Sequence, residues 1–191
     1  MKMNLPNKLS VLRLCMVPVF VVVMMVSDAL WANLLGALLF GAAALTDMLD
    51  GKIARKYNMV TDFGKLMDPL ADKFLVFGAM LGILVYCADL RPIFVWAAAI
   101  VMLRELAVTS LRLLAASQSG AVIAAAWLGK VKTVTQVVCI LCVILEPVIL
   151  PFPLFTQYHL LSYVTIAAMI VMTIWSGVEY FAAYGKNIKM K

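Results

Sequence analysis

The chain has 191 residues, of which 65% are hydrophobic and only 14% charged, with a net charge of +6. A soluble domain carries roughly 25% charged residues, so this composition excludes an ordinary soluble protein and indicates an integral membrane one. The length fits a single domain over residues 1–191.

Apolar runs of about 20 residues predict six membrane spans. They lie near 9–26, 30–54, 62–86, 92–114, 130–150 and 158–182. The first run lacks a small-x-small cleavage pattern and further spans follow it, so a cleavable signal peptide is not expected. Turn or charge signals separate the spans: Ser27–Asp28, Lys56–Asn58, Ala88–Pro92, Ser117–Gly120 and Pro147–Pro153.

Basic residues alternate between the two sides. Lys2, Lys8 and Arg13 open the chain; Lys52, Arg55, Lys56 and Lys65 flank the second break. Arg112, Lys130 and Lys132 flank the fourth, and Lys186, Lys189 and Lys191 close the chain. The other breaks hold Arg91 beside Asp28, Asp89 and Glu146. The positive-inside rule then puts both termini and the even-numbered loops in the cytoplasm. The expectation is an all-α bundle of six transmembrane helices in the cell membrane. Its basic face suits anionic lipid head groups, and no nucleic-acid partner is expected.

Four aspartates interrupt the second and third spans. Asp47 and Asp50 are three apart; Asp68 and Asp72 are four apart, so each pair shares a helix face. The short connection makes the two spans antiparallel neighbours. At about 1.5 Å rise per residue, all four carboxylates converge roughly 8–20 Å from the cytoplasmic ends. Each aspartate at a helix centre costs about 2.5–3.5 kcal/mol on insertion scales. Uncompensated, the cluster costs on the order of 10 kcal/mol, comparable to the stability of a whole domain. Lys52, Lys65 and Lys73 are near, but Lys52 and Lys65 are placed to snorkel to the interface. Oxygen ligands without His or Cys suit a hard divalent cation, Mg²⁺ or Mn²⁺, with two ions sharing the carboxylates. Gly51 and Ala54 keep that face open, Pro69 should kink the third span, and Thr61 looks like its N-cap.

A second polar cluster follows. Arg104 and Arg112 are two turns apart on the fourth span, and Lys130 and Lys132 open the fifth. Glu105, adjacent to Arg104, is expected to point elsewhere. Arginine forks and lysine point charges suit an anionic acceptor that carries its own phosphate. Charge balance against the aspartates, or the positive-inside rule, is the alternative explanation of these cations. Cys15, Cys87, Cys139 and Cys142 are read as small hydrophobes in packed helices, and His159 as carrying no chemistry. An ion-coupled transporter would also use intramembrane acids, but here they lie toward one side and no inverted repeat is evident.

The spacing D-x2-D-G-x2-A-R-x8-G-x3-D-x3-D, filled at every fixed position between Asp47 and Asp72, resembles the signature of the CDP-alcohol phosphotransferases. The resemblance implies a cytoplasm-facing site where CDP-diacylglycerol gives its phosphatidyl group to an alcohol and CMP leaves. It implies that Asp47, Asp50 and Asp68 bind metal. Asp72 would also bind metal and serve as the base. Gly51 and Arg55, with Thr61, would contact the CDP portion; Asn7 and Arg13 are further candidates for the donor. Arg104–Glu105 with Arg112, Gly129-Lys130-x-Lys132-Thr133-x-x-Gln136 and Leu5-Pro6-Asn7-Lys8-Leu9-Ser10-x-x-Arg13 resemble the phosphatidylglycerophosphate synthase branch. The acceptor implied is sn-glycerol 3-phosphate, with a cardiolipin synthase using phosphatidylglycerol as the nearest alternative and a phosphatidylinositol phosphate synthase after it. A homodimer is also implied.

Overall fold

The computed structural model of the chain describes residues 4–26, 29–56, 61–119, 127–150 and 157–184, with 152 and 155; the side chains at 5–6, 47–56, 62–63, 65–66 and 115–119 lie outside that description. The described residues form six helices: α1 Leu5–Val26, α2 Leu30–Lys56, α3 Asp62–Tyr86, α4 Arg91–Ser119, α5 Trp127–Ile149 and α6 Leu160–Tyr184. A bilayer offers no water to unpaired backbone groups, so apolar spans close their hydrogen bonds within helices. α4 continues past the apolar run to Ser119, and α5 starts at Trp127. Five helices are long and apolar enough to cross a membrane, and α2 contributes the apolar stretch Leu30–Thr46. Leu38, Trp96, Leu103 and Trp175 project outward, as side chains do when the solvent is lipid. The chain is a multi-pass membrane protein.

Successive helices alternate in direction. The connection between α2 and α3 is short and they touch, but α1 makes the larger contact with each of them. The reason is side-chain size. Val17 of α1 fills a notch at Gly78 of α3, where an added Cβ would lie 2.1 Å from Val17 Cγ1. Phe20 and Met24 occupy similar notches at Gly82 and Gly36. Without a hydrophobic force between helices in lipid, such close backbone approach supplies much of the packing energy. Phe20 also meets Phe40 of α2 at 6.1 Å between ring centroids. Met80, Ile83, Phe94, Ile140 and Ile144 complete the core.

The end where α1 finishes is fastened by few polar contacts. Asn33 Nδ2 donates to the Tyr86 hydroxyl at 2.6 Å. Glu146, 1% exposed, accepts from the backbone N–H groups of Leu161 (2.8 Å) and Ser162 (3.0 Å) and from the Ser162 hydroxyl. It thereby caps the otherwise unpaired first turn of α6 from a neighbouring helix. His159 precedes that turn at φ 47°, with its Nε2 3.7 Å from Asp89 Oδ2. All four cysteines are free thiols.

Gly78→Ala should lower stability by about 1–3 kcal/mol, because the α1–α3 seam has no room for the methyl. Adding Val17→Ala should recover much of the loss. Unfolding of the detergent-solubilised protein measures both.

Candidate active site

The third helix opens with a cap that also reaches the first. Thr61 is extended, at φ −114° and ψ 156°, and its Oγ1 accepts from Gly64 N at 3.0 Å. The same hydroxyl donates to Asn7 Oδ1 at 3.0 Å. Gly64 sits under this contact: a Cβ there would come within 3.1 Å of Asn7 Oδ1 and 3.2 Å of Thr61 Oγ1. Glycine at this motif position therefore lets the polar end of α1 lie against α3.

One and two turns further along α3 come Asp68 and Asp72. Ser10 Oγ donates to Asp68 Oδ1 at 2.6 Å. Arg13 Nη1 donates to Asp72 Oδ1, also at 2.6 Å. Arg13 is fully enclosed, whereas the Asp72 side chain is 48% exposed. A guanidinium with no access to water needs a carboxylate, and Asp72 supplies it while keeping an open side. Asn7, Ser10 and Arg13 are spaced by three and form one stripe on α1. Both helices run in the same direction, so the stripe meets Thr61, Asp68 and Asp72 in order. Asn7 and Arg13, candidates for donor contact on sequence grounds, are thus engaged with Thr61 and Asp72. Ser10, part of the opening pattern of α1 but given no role by it, joins Asn7 and Arg13 as a third polar contact, and its place in that three-residue spacing within an apolar helix was a usable signal.

Asp47, Asp50, Gly51 and Arg55 lie on the closing turns of α2, and their side chains fall outside the described residues. On α3 the donors are carboxylate oxygens alone, one turn apart. Ser10 offers Asp68 a neutral hydroxyl, and Arg13 offers Asp72 a guanidinium. That donor set fits a hard divalent cation. A shallow, mostly apolar depression of about 300 Å³ on α3 is lined by Met67, Pro69, Leu70 and Lys73.

The second polar cluster lies at the same end of the bundle and is linked through Lys73. Lys73 Nζ donates to Thr109 Oγ1 at 2.6 Å, and Thr109 donates to the Glu105 carbonyl at 2.7 Å. Glu105 departs from expectation. It does not point away; its Oε1 accepts from Lys132 and from Arg104 Nη1, the latter at 3.4 Å. The reason is burial: the Lys132 and Arg104 side chains are 5% and 12% exposed, and two enclosed cations draw the nearest carboxylate between them.

The four expected acceptor cations do not form one ring. Arg104 and Lys132 share Glu105. Arg112 turns to α6, where its Nε donates to the Tyr180 hydroxyl at 2.9 Å and its guanidinium carbon lies 5.1 Å from the ring centroid. Lys130 is exposed at the start of α5. Among the described residues, Arg104 Nε and Gln136 Nε2 are buried donors without a hydrogen-bond partner. Gln136 is one turn beyond Lys132, so unused donors accompany the buried cations. Tyr180 and Thr109 had no signal in the sequence, and Lys73 was noted only as a neighbour of the aspartates, because each acts across helices.

Removing the shared carboxylate with Glu105→Ala should destabilise the protein by about 3–5 kcal/mol, since it strands two buried cations. Glu105→Ala with Lys132→Met should be milder than Glu105→Ala alone. Denaturant unfolding in detergent compares them.

The family model for CDP-alcohol phosphatidyltransferases matches residues 3–175. The chain is 39% identical to the CDP-diacylglycerol–glycerol-3-phosphate 3-phosphatidyltransferase of Bacillus subtilis, with 97% of each chain covered. It is 38% identical to a probable phosphatidylglycerophosphate synthase of Mycobacterium tuberculosis, covering 97% of this chain and 83% of that one. A Salmonella typhimurium protein with the same name as the Bacillus one is 35% identical over 96% of both chains. With a family match that runs from the α1 stripe through the α3 aspartates into α6, the chain belongs to the CDP-alcohol phosphatidyltransferase family.

Proposed function

We propose that the chain transfers the phosphatidyl group of CDP-diacylglycerol to sn-glycerol 3-phosphate, releasing CMP and forming phosphatidylglycerophosphate. The observation that carries this reading is the end-to-end similarity to proteins named for that reaction, over 96–97% of the chain. The geometry supports it: an aspartate face and a cation cluster, suited to opposite partners, share one end of the bundle.

In the proposed reaction, a hydroxyl oxygen of the acceptor attacks the phosphorus that bears diacylglycerol. The bond from that phosphorus to the bridging oxygen breaks, and its electron pair leaves with CMP. The hydroxyl proton passes to Asp72, whose side chain is 48% exposed. Among the described residues no serine or cysteine of the site stands beside a histidine, so direct attack is the simpler course. Asp47, Asp50, Asp68 and Asp72 would hold two Mg²⁺ or Mn²⁺ ions, which when bound offset the charge of the pyrophosphate and of departing CMP. Gly51, Arg55 and Thr61, with Asn7 and Arg13, serve the donor side. Arg104, Arg112, Lys130 and Lys132 serve the phosphate of the acceptor. The apolar depression on α3 suits a lipid-linked donor. The distribution of basic residues supports a cell-membrane protein with this end facing the cytoplasm.

Purified protein with CDP-diacylglycerol should release CMP in the presence of Mg²⁺ or Mn²⁺ and glycerol 3-phosphate, and very little with phosphatidylglycerol or inositol phosphate. Strong turnover on phosphatidylglycerol alone would overturn the acceptor assignment. Asp72→Asn should remove turnover and, by leaving enclosed Arg13 a neutral acceptor, also lower stability; activity at the wild-type level would remove Asp72 from the reaction. Arg112→Ala should raise the KM for glycerol 3-phosphate more than that for CDP-diacylglycerol, and equal changes would point to charge balance instead.

A further inference from the structure

We infer that Ser10 is a positioning residue for Asp68, holding one carboxylate oxygen so that the group faces a divalent cation in a set orientation. This rests on the reading of Asp68 as a metal ligand and extends it to a residue on a different helix.

The geometry is specific. Ser10 is fully buried, and its hydroxyl lies 2.6 Å from Asp68 Oδ1. A hydroxyl this close to a carboxylate makes a short charge-assisted bond, stronger than a neutral one. The carboxylate sits on the first turns of α3, where its side chain would otherwise rotate among several rotamers. Two neighbouring contacts fix where Ser10 stands. Below it, Asn7 meets Thr61 across Gly64; above it, Val17 is seated at Gly78. These contacts determine the register of α1 on α3, and Ser10 faces Asp68 as a consequence. The hydroxyl is also neutral. Unlike Arg13 at Asp72, it orients a ligand without adding positive charge beside a cation. Partners that orient metal ligands in this way typically change metal affinity by about 10–100-fold when removed.

A size argument is the competing explanation: serine is small, and a tight seam needs a small residue. Alanine separates the two, because it keeps the packing and removes only the hydroxyl. The test is Mn²⁺ binding to the full-length protein in detergent, without substrate, read from loss of the free-ion electron paramagnetic resonance signal. Ser10→Ala should raise the Mn²⁺ Kd about tenfold. Ser10→Thr, which keeps the donor, should stay near wild type. Asp68→Asn serves as the control and should weaken binding at least as much as Ser10→Ala. Should Ser10→Ala fail to fold, Ser10→Cys replaces it, with the same shape, a far weaker donor and the same expected loss.

If Asp68→Asn weakens Mn²⁺ binding and Ser10→Ala does not, Ser10 has no positioning role and the metal reading stands. If Asp68→Asn binds Mn²⁺ as the wild type does, the metal reading at Asp68 falls and this inference falls with it. If Ser10→Thr, which keeps the hydroxyl, loses Mn²⁺ binding as fully as Ser10→Ala, the donor does not account for the loss and the inference falls.

Discussion

Carboxylates inside an apolar slab must be met by donors or cations, and the rest of this bundle is arranged around that requirement. Two of the four motif aspartates, Asp68 and Asp72, lie on α3, and α1 meets both. Ser10 donates to the first and Arg13 to the second. The contacts differ in kind. A neutral hydroxyl leaves the charge of Asp68 intact for a cation. A buried guanidinium partly offsets the charge of Asp72 while leaving about half of that side chain open. Two carboxylates one turn apart thus acquire different surroundings, which is the usual way for one type of residue to take different roles.

Those contacts depend on register, and register depends on small residues. An α-helix sliding by one residue along its neighbour would turn the stripe of Asn7, Ser10 and Arg13 away from α3. Val17 in its notch at Gly78 and Asn7 over Gly64 oppose that slide at two separate levels. The apolar packing in mid-membrane and the polar chemistry near one end are therefore one structural device. At the opposite end, Glu146 closes the first turn of α6, so a buried acid there serves the fold and not the reaction.

The cation cluster follows similar logic with the signs reversed. Arg104 and Lys132 are too enclosed to stand alone, and Glu105 sits between them. An anionic acceptor entering beside them would find two cations already oriented by a common partner, and two further donors, Arg104 Nε and Gln136 Nε2, still unused. Lys73, next in sequence to Asp72, reaches Thr109 on α4 and ties this cluster to the aspartate helix.

Much of the outline was legible in the chain itself. Hydropathy located the six helices because lipid demands long apolar runs with closed backbone hydrogen bonds. The i,i+4 spacing placed Asp68 and Asp72 one turn apart on α3 because helical geometry is local. Thr61 as a cap followed for the same reason. Contacts between helices were not legible. That α1 packs against both α2 and α3, that Ser10 meets Asp68, that Glu105 turns to Lys132 and that Arg112 rests on Tyr180 all join residues 27 to 68 positions apart. Such pairings depend on which side chains leave room for a neighbouring helix, and on where buried charges find each other. Only the packed bundle decides that, because no local periodicity encodes it.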